Sequence, residues 1–311
     1  MENWKKYLLL GFIFLTPISC EDDPENSYHF AESQITDESL LSNTMILASD
    51  HMEGRGTGTL GEDKAALYIA EQFLDVGLEP LGVLGKETFA KTDFQDYFQT
   101  VSLLGMKKVA QTSQLEIKND KEILAYEAGK SLAYWSSAQE PMIEIEAAPL
   151  IFVGYGVEAP EYNWDDLKGF DLKGKVLLFL NDDPPVEEAG VELFAGKERT
   201  YYGRWTYKFE QAMKHGADGA LVIHTTESAS YPFSVVQHSG VVENFALDLP
   251  NTDYRIKLLG WIDRERSEAI ASSMGRTLQD LFLAASSRNF QPIDTGYRVT
   301  ALINTHIRSL E

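Results

Sequence analysis

Cysteine occurs once, at Cys20, so no disulfide can form within the chain. Basic residues are scarce: 27 Lys and Arg stand against 48 Asp and Glu, for a formal net charge of −21. That balance argues against bulk binding to nucleic acid, which needs a positive surface to meet phosphates. Long apolar runs are missing too. The run over residues 7–15 is about half the length that a membrane-spanning helix needs. None of the six histidines (His29, His51, His215, His224, His238, His306) falls in an H-E-x-x-H or H-x-H pattern, and no cluster of His, Cys and carboxylate at zinc-ligand spacing is visible. His51-Met52-Glu53 gives H-x-E, but the P-C-x-x-C partner of a zinc deaminase is absent. There is no G-x-S-x-G elbow, no internal repeat and no low-complexity segment. What is present, 44% hydrophobic and 24% charged residues, is a globular composition. The 311 residues suggest about two domains.

The first twenty residues run from Lys5 and Lys6 through the short apolar stretch to small residues and Cys20. That order is that of a secretory signal. With a cysteine at its end it resembles a bacterial lipoprotein signal, in which that cysteine is lipidated and becomes the first mature residue. Pro17 departs from the pattern, because such signals usually carry leucine there. An ordinary signal peptide with an incidental cysteine is the alternative. The resemblance implies export, a lipid on Cys20 as the only link to a membrane, and a cell-envelope lipoprotein or a periplasmic or extracellular protein. Residues 21–35 would follow as an acidic tether.

Helical periodicity begins at Thr36. Asp37 and Glu38 suit the positive end of a helix dipole, and Leu40, Leu41, Thr44, Met45, Leu47 and Ala48 repeat at three-to-four spacing. A better-marked helix is predicted over 60–76. Thr59 and Glu62 spell a T-x-x-E capping box. Ala65/Ala66, Ile69/Ala70 and Phe73/Leu74 recur on one face; Gly77 supplies the stop, and Pro80 prevents continuation. A β-like stretch follows at Tyr97, Phe98, Val101 and Leu103, with another at 115–117. From Pro149 the texture changes. Residues 149–157 and 175–180 read as buried strands, 205–215 as a helix stopped by Gly216, and 219–225 as a further strand. Strand, helix and strand with a glycine stop predict a βαβ unit or a close relative. Helices are predicted from Asp263 through Met274, and from Thr277 with Leu278, Leu281, Phe282 and Ala285 inward. At the end, Val299, Ala301, Ile303, Thr305 and Ile307 alternate with Arg298, Thr300, Asn304, His306 and Arg308, the pattern of a half-buried strand.

Gly56, Gly58 and Gly61 spell G-x-G-x-x-G before the 60–76 helix. A dinucleotide fingerprint needs a strand immediately before its glycines, whereas MILASDHMEGR reads as a helix end and an acidic loop. A Walker loop needs lysine and a hydroxyl where Glu62 and Asp63 stand. Two carboxylates in the first helical turn satisfy the dipole themselves and repel a phosphate. The remaining reading is conformational: the glycines permit positive φ in a tight approach to the helix.

Asp182-Asp183-Pro184-Pro185 ends a predicted strand, a place where ligands often bind in α/β sheets, although an acidic turn is the simpler explanation. His215 and His224 read as structural. Tyr201, Tyr202, Trp205 and Tyr207 interleave with Arg204 and Lys208. Aromatic and arginine side chains together favour recognition, so Tyr201, Tyr202, Arg204 and Trp205 are candidates to contact a peptide. Rings that cover the core where strand passes to helix explain the same pattern.

LASDHMEGRGTGTLGEDKAALYIAEQFLDVGLEPLG, at residues 47–82, resembles the opening segment of secreted di-zinc aminopeptidases. APLIFVGYGVEAPEYNWDDLKGFDLKGKVLLFLNDDPP and TYYGRWTYKFEQAMKHGADGALVIHTTESASYPFSVV are similar to the protease-associated domain that many bacterial members insert after their first catalytic strand. The resemblance spans residues 40–307, with its three segments agreeing in order and spacing. It implies an α/β chain holding part of a phosphorylase/hydrolase-like aminopeptidase fold (initial helices and first strand) plus a protease-associated α/β domain. The implied division is 1–20 signal, 21–35 tether, 36–105 peptidase piece, 106–308 insert with flanking strands, and 309–311 a truncated return. Glu53, Gly54, Arg55, Gly56, Thr57 and Gly58 match the family's loop motif, with a structural role inferred. The family hydrolyses N-terminal residues from peptides with two zinc ions, whose ligands lie downstream of the insert. No catalytic or metal residue carries over, so no zinc and no peptide hydrolysis are expected of this chain alone. Its peptide substrates would be engaged through the absent catalytic half. The alternative is a protease-associated module that binds peptide or protein by itself.

Overall fold

The computed structural model describes residues 24–80, 97–196, 198–248 and 255–310. The predicted signal segment and Cys20 lie outside these residues. Two compact units are present, meeting in sequence between Phe98 and Gln99. No helix among the described residues is long and apolar enough to cross a membrane.

The first unit is helical: α1 (Pro24–Gln34), α2 (Asp37–Leu47) and α3 (Leu60–Asp75), with a 3-10 turn at Asp50–Arg55. Where an acidic tether is predicted, α1 forms instead. Thr36 caps α2 by accepting from the Ser39 amide at 3.2 Å. At the start of α3 the predicted capping box does not form. Thr59 Oγ1 turns back to donate to Gly56 O at 2.6 Å, and Glu62 Oε2 accepts from the Gly58 amide at 2.5 Å. The carboxylate thus serves a loop amide that only the folded turn brings near. Gly77 ends α3 at φ +75°, as its position predicts, with the Leu78 amide donating back to Phe73 O at 3.0 Å. The predicted apolar faces are open. Leu40, Leu41 and Met45 on α2 and Ile69, Phe73 and Leu74 on α3 are exposed, while Met52, Ala65 and Ala70 are the buried apolar side chains described in this unit. No strand is described here, although a first strand is predicted before residue 105. The β-like residues Val101 and Leu103 belong to the second unit, where Leu103 finds strand partners.

The second unit is a mixed α/β body. Its strands are β1 (Leu103–Lys108), β2 (Gln114–Lys118), β3 (Leu132–Trp135), β4 (Met142–Phe152), β5 (Glu158–Ala159), β6 (Trp164–Asp165), β7 (Val176–Leu180), β8 (Glu187–Glu188), β9 (Val191–Glu192), β10 (Gly219–Ile223), β11 (Asn244–Leu247), β12 (Leu258–Ile262) and β13 (Ile293–Leu310). Its helices are α4 (Trp205–Lys214), α5 (Thr226–Ala229), α6 (Ser234–Gln237), α7 (Arg264–Ser273) and α8 (Leu278–Ala285). A curled nine-stranded sheet runs β11-β1-β13-β4-β7-β10-β12-β3, with β2 also on β13. β4, β7, β10 and β12 are mutually parallel, and β7-α4-β10 is the predicted βαβ unit.

Every residue of β7, β10 and β12 is buried, as parallel strands covered on both faces require. Val176, Leu178 and Leu180 pack into one apolar cluster with Ile270, Leu281 and Ala285 of α7 and α8. Leu177 and Phe179 point the other way, into a cluster with Phe209 and Ala212 of α4. Asp263 and Thr277 cap α7 and α8 as predicted, accepting from Arg266 N and Asp280 N. The predicted strand 149–157 ends early, at Phe152. Gly154 and Gly156 sit at φ +60° and +62° and turn the chain, and a Cβ on Gly156 would lie 2.3 Å from Phe179 Cε1.

β13 alternates as predicted, with Val299, Ala301, Ile303 and Thr305 buried. It stays in the sheet to Leu310, where Ser309 and Leu310 pair with Leu104 and Leu103. The predicted division at 105/106 falls inside β1.

Apolar burial stabilises by about 25 cal/mol per Å², and the first unit realises little of it. Amides of α2 and α3 are expected to exchange with deuterium about a hundredfold or more faster than those of β7, β10 and β12. Equal protection in a peptide-resolved exchange experiment would contradict this.

Candidate functional site

The parallel strands β4, β7, β10 and β12 end at one edge of the sheet. There the chain leaves β7 through Asn181-Asp182-Asp183, β10 through His224-Thr225 and β12 through Asp263-Arg264. Open α/β sheets bind ligands in the crevice outside these carboxyl ends. A crevice of about 620 Å³ lies here. Tyr155, Asn181, Asp182 and Asp183 form its floor and one side, and Thr225, Glu227, Ser228 and Arg264 another. Phe282, Leu283 and Ser286 of α8 close it with Pro185.

The floor is held by Lys208, in the second turn of α4. Its side chain is fully buried. Nζ donates to Tyr155 O at 2.7 Å, Tyr202 O at 2.8 Å and Asp182 O at 3.0 Å. These carbonyls belong to three separate segments: the turn after β4, the loop after β7 and the approach to α4. Burial pushes the Lys208 pKa down to about 7, against the pull of Asp166, Asp183 and Asp182. An ammonium has three N–H groups and no acceptor. All three are used here, so the geometry is that of the charged form. Asp166, also buried, accepts from Val157 N and Trp164 Nε1, both at 2.9 Å. Burial raises its pKa to about 7, opposed by these bonds and by Lys208.

A second set of bonds locks the β7 loop to the segment before α4. Asp183 accepts from Thr200 N at 2.7 Å and Thr200 Oγ1 at 2.6 Å. Asp182 accepts from Arg199 Nε at 3.2 Å and from the Asp183 amide at 3.0 Å. Its backbone sits at φ +84°, a conformation that non-glycine residues keep only when their surroundings hold them there. Gly203 is where this packing is closest, since a Cβ there would lie 2.7 Å from Asp183 Oδ2.

Asn181 is 3% exposed. Its Nδ2 donates to Ser228 O at 3.2 Å, while its Oδ1 is buried and accepts no hydrogen bond. An unmet acceptor of this kind costs about 1–3 kcal/mol. Thr225 Oγ1 accepts from the Ser228 amide at 3.2 Å, fixing the turn opposite. Arg264 faces Glu268 at 3.0 Å and Glu227 at 3.4 Å. Burial, the largest influence on the Tyr155 phenol, pushes its pKa up, so it stays neutral at physiological pH.

The aromatic segment divides. Tyr207 and Lys208 are buried, and Tyr202 turns inward, its ring edge-on to Phe194 and Tyr207 and its hydroxyl donating to Glu161 at 2.6 Å. Tyr201 is 54% and Trp205 41% exposed, and Arg204 is exposed beside them. Tyr201 donates to Glu210, and Trp205 stacks edge-on against Phe209. The segment thus covers the core with Tyr207 and Lys208 and leaves Tyr201, Arg204 and Trp205 at the surface. None of the four candidates lines the crevice, but Tyr202 reaches its floor through the carbonyl on Lys208.

The glycine loop lies in the first unit. Glu53, Gly54, Arg55 and Gly58 have positive φ. Gly56 does not, and a Cβ there would make ordinary contacts, so the expected need for glycine fails at that position. Gly61 is the tight approach, because a Cβ on it would lie 2.2 Å from Met52 O. Lys64 Nζ holds Glu53 at 2.6 Å and His51 O at 3.1 Å. Thr57 is half-buried, with no site role visible.

His224, read as structural, is buried among Tyr231, Phe233 and Trp261. Burial lowers its pKa, and its Nε2 has no partner. His215 bonds Glu158 at 2.9 Å. Among the described residues, no group of three or more His, Cys, Asp or Glu is placed to hold a metal ion. Sequence reasoning missed Asn181, Thr225, Ser228 and Arg264. Their one shared signal is position, just past predicted strands. No family model and no curated protein matches the chain.

Replacing Lys208 with Met keeps the apolar stem and removes three donors, leaving three carbonyls unmet. Lys208→Met is expected to lower stability by about 3–5 kcal/mol, read as a lower urea midpoint. A midpoint within error of the wild type would remove the floor's proposed linchpin.

Proposed function

We propose that the chain carries the initial helices and the protease-associated module of a secreted di-zinc aminopeptidase, an enzyme that removes N-terminal residues from peptides. Cys20 would be its lipid anchor, in the cell envelope or outside it. The observation that carries this reading is the pairing of β1 with β13, in which Leu103 and Leu310 are partners. The first and last long strands of the second unit are thus neighbours, with their outer ends side by side. That is what allows a module to be inserted in another domain without pulling it apart. The exposed apolar faces of α2 and α3 also suit helices whose role in the family is to cover a catalytic sheet. The three sequence segments that resemble the family add their order and spacing.

In such an enzyme, two bound zinc ions polarise the peptide carbonyl and activate a water, while a glutamate moves protons. The described residues do not fit a metal pair, so no step is assigned to them. On this reading the chain positions and covers, and the chemistry belongs to residues outside it. The second reading, a peptide- or protein-binding module complete in itself, is favoured by the exposed Tyr201, Arg204 and Trp205.

The test uses the native product, captured from its own cells with an antibody to the exposed 187–192 segment, beside the recombinant chain. Chelator-sensitive release of a chromogenic amine from aminoacyl anilides is expected from the native product. None is expected from the chain alone, with or without added zinc. A native product that releases nothing would overturn the peptidase reading in favour of the binding module. Release by the chain alone with bound stoichiometric zinc would overturn its non-catalytic role.

A further inference from the structure

We propose that the free edge of β11 is a docking site for an extended peptide segment, which joins the sheet as an antiparallel strand with a basic residue beside Asp248. The inference rests on this edge alone and stands whether or not the chain belongs to a peptidase.

The nine-stranded sheet ends in β3 on one side and β11 on the other. The β3 edge is guarded. Lys108 Nζ donates to Tyr134 O at 2.7 Å, and Gly240 packs so closely that a Cβ on it would lie 3.0 Å from Tyr134 N and from Tyr134 O. β11 has one strand neighbour among the described residues, β1, and its register from Asn244 to Leu247 runs without a bulge. The Asp248 amide donates to Ser102 O at 2.9 Å, which fixes the phase of the ladder. Bonded and non-bonded pairs alternate in an antiparallel ladder. Asn244 and Ala246 therefore direct their backbone groups at β1, and Phe245 and Leu247 direct theirs away. Gln139 Nε2 donates to Leu247 O at 3.0 Å, and a carbonyl oxygen keeps a second lone pair. The Phe245 N–H, the Phe245 carbonyl and the Leu247 N–H have no partner among the described residues.

Edge strands that stay single are blunted by lysine, proline, a bulge or a covering segment. Asn244-Phe245-Ala246-Leu247 carries no charge and no proline. Phe245 is 38% and Leu247 50% exposed, and their alternation puts both on one face of the strand. The Arg308 guanidinium lies 6.0 Å from the centre of the Phe245 ring and is itself held by both oxygens of Glu243, so the ring rests beside a fixed group. An added strand answers each feature. Its alternating N–H and C=O groups meet the free edge, and apolar side chains at every second position meet Phe245 and Leu247. Charge then selects the partner. Asp248 is exposed at the end of the strand and holds no ion pair among the described residues, so it suits a lysine or arginine opposite it. A second copy of the chain would bring another net charge of −21, which opposes pairing of β11 with itself.

The experiment titrates the full chain with the peptide acetyl-Lys-Val-Thr-Val-Thr-amide and follows amide nitrogen–proton chemical shifts and amide exchange. Paired antiparallel, its lysine lies opposite Asp248 and its two valines opposite Leu247 and Phe245. The same peptide with both valine nitrogens methylated cannot donate to the edge and serves as the control. Saturable shifts are expected over 244–248, with binding about tenfold tighter than for the control. Exchange is expected to slow about tenfold at the Phe245 and Leu247 amides and to stay unchanged at the Ala246 amide, which already faces β1. Leu247→Pro removes an outward N–H without touching the bonds to β1 and is expected to abolish saturation. Asp248→Asn, at an exposed position, is expected to weaken binding several-fold while leaving the fold intact, so the test does not hang on one variant. Equal binding of the methylated peptide, unchanged exchange at Phe245 and Leu247, saturation that survives Leu247→Pro, or no saturation would each overturn the proposal. Slow exchange at Phe245 and Leu247 that rises with chain concentration in the absence of peptide would overturn it in favour of a second copy.

Discussion

One buried ammonium organises the second unit. Lys208 donates to Tyr155, Asp182 and Tyr202 carbonyls on three segments that share no regular ladder at that point. Loops at strand ends carry backbone groups that no sheet neighbour satisfies. Here a side chain supplies the missing donors from below. The crevice floor is therefore a consequence of where α4 lies, and α4 lies there because Phe209 and Ala212 pack on the underside of β7 and β10.

That dependence links packing to chemistry. Parallel strands buried on both faces bring four carboxyl ends to one edge, and the two apolar clusters keep that edge in register. On such a frame a strained residue such as Asp182 can be held, and an unmet acceptor such as Asn181 Oδ1 can be tolerated. The stabilisation from many buried apolar side chains exceeds the cost of each. The first unit has no comparable frame. Its glycine loop is well specified, with Gly61 against Met52 O and Lys64 across Glu53. Its helices nevertheless leave most of their apolar faces in solvent. A sheet to cover those faces is what the peptidase reading supplies.

Local rules made much of the architecture legible. The β7-α4-β10 unit, the caps at Thr36, Asp263 and Thr277, the glycine stop at Gly77 and the alternation of β13 all follow from neighbours a few residues apart. Where the sequence misled, a longer contact won. Glu62 served Gly58 in place of the expected cap, and Leu103 belongs with β13 in the second unit and not with the first. The 149–157 run broke at Gly154, where Phe290 leaves no room for a side chain. The site was less legible than the fold. A lysine on an amphipathic helix reads as surface, and nothing near Lys208 announces that three distant carbonyls converge on it. Asp182-Asp183 could be noticed as a strand end, but the free oxygen on Asn181 exists only once Ser228 has taken the nitrogen.

The protonation state of Lys208 tests this account most directly. Burial, partly offset by Asp166, Asp183 and Asp182, brings the Lys208 pKa down to about 7, yet a neutral amine has too few hydrogens for three carbonyls. A nitrogen-15 spectrum of the Lys208 side chain at about pH 8 is predicted to show an ammonium resonance with slowly exchanging protons. A neutral-amine resonance, or protons exchanging as fast as those of surface lysines, would contradict it.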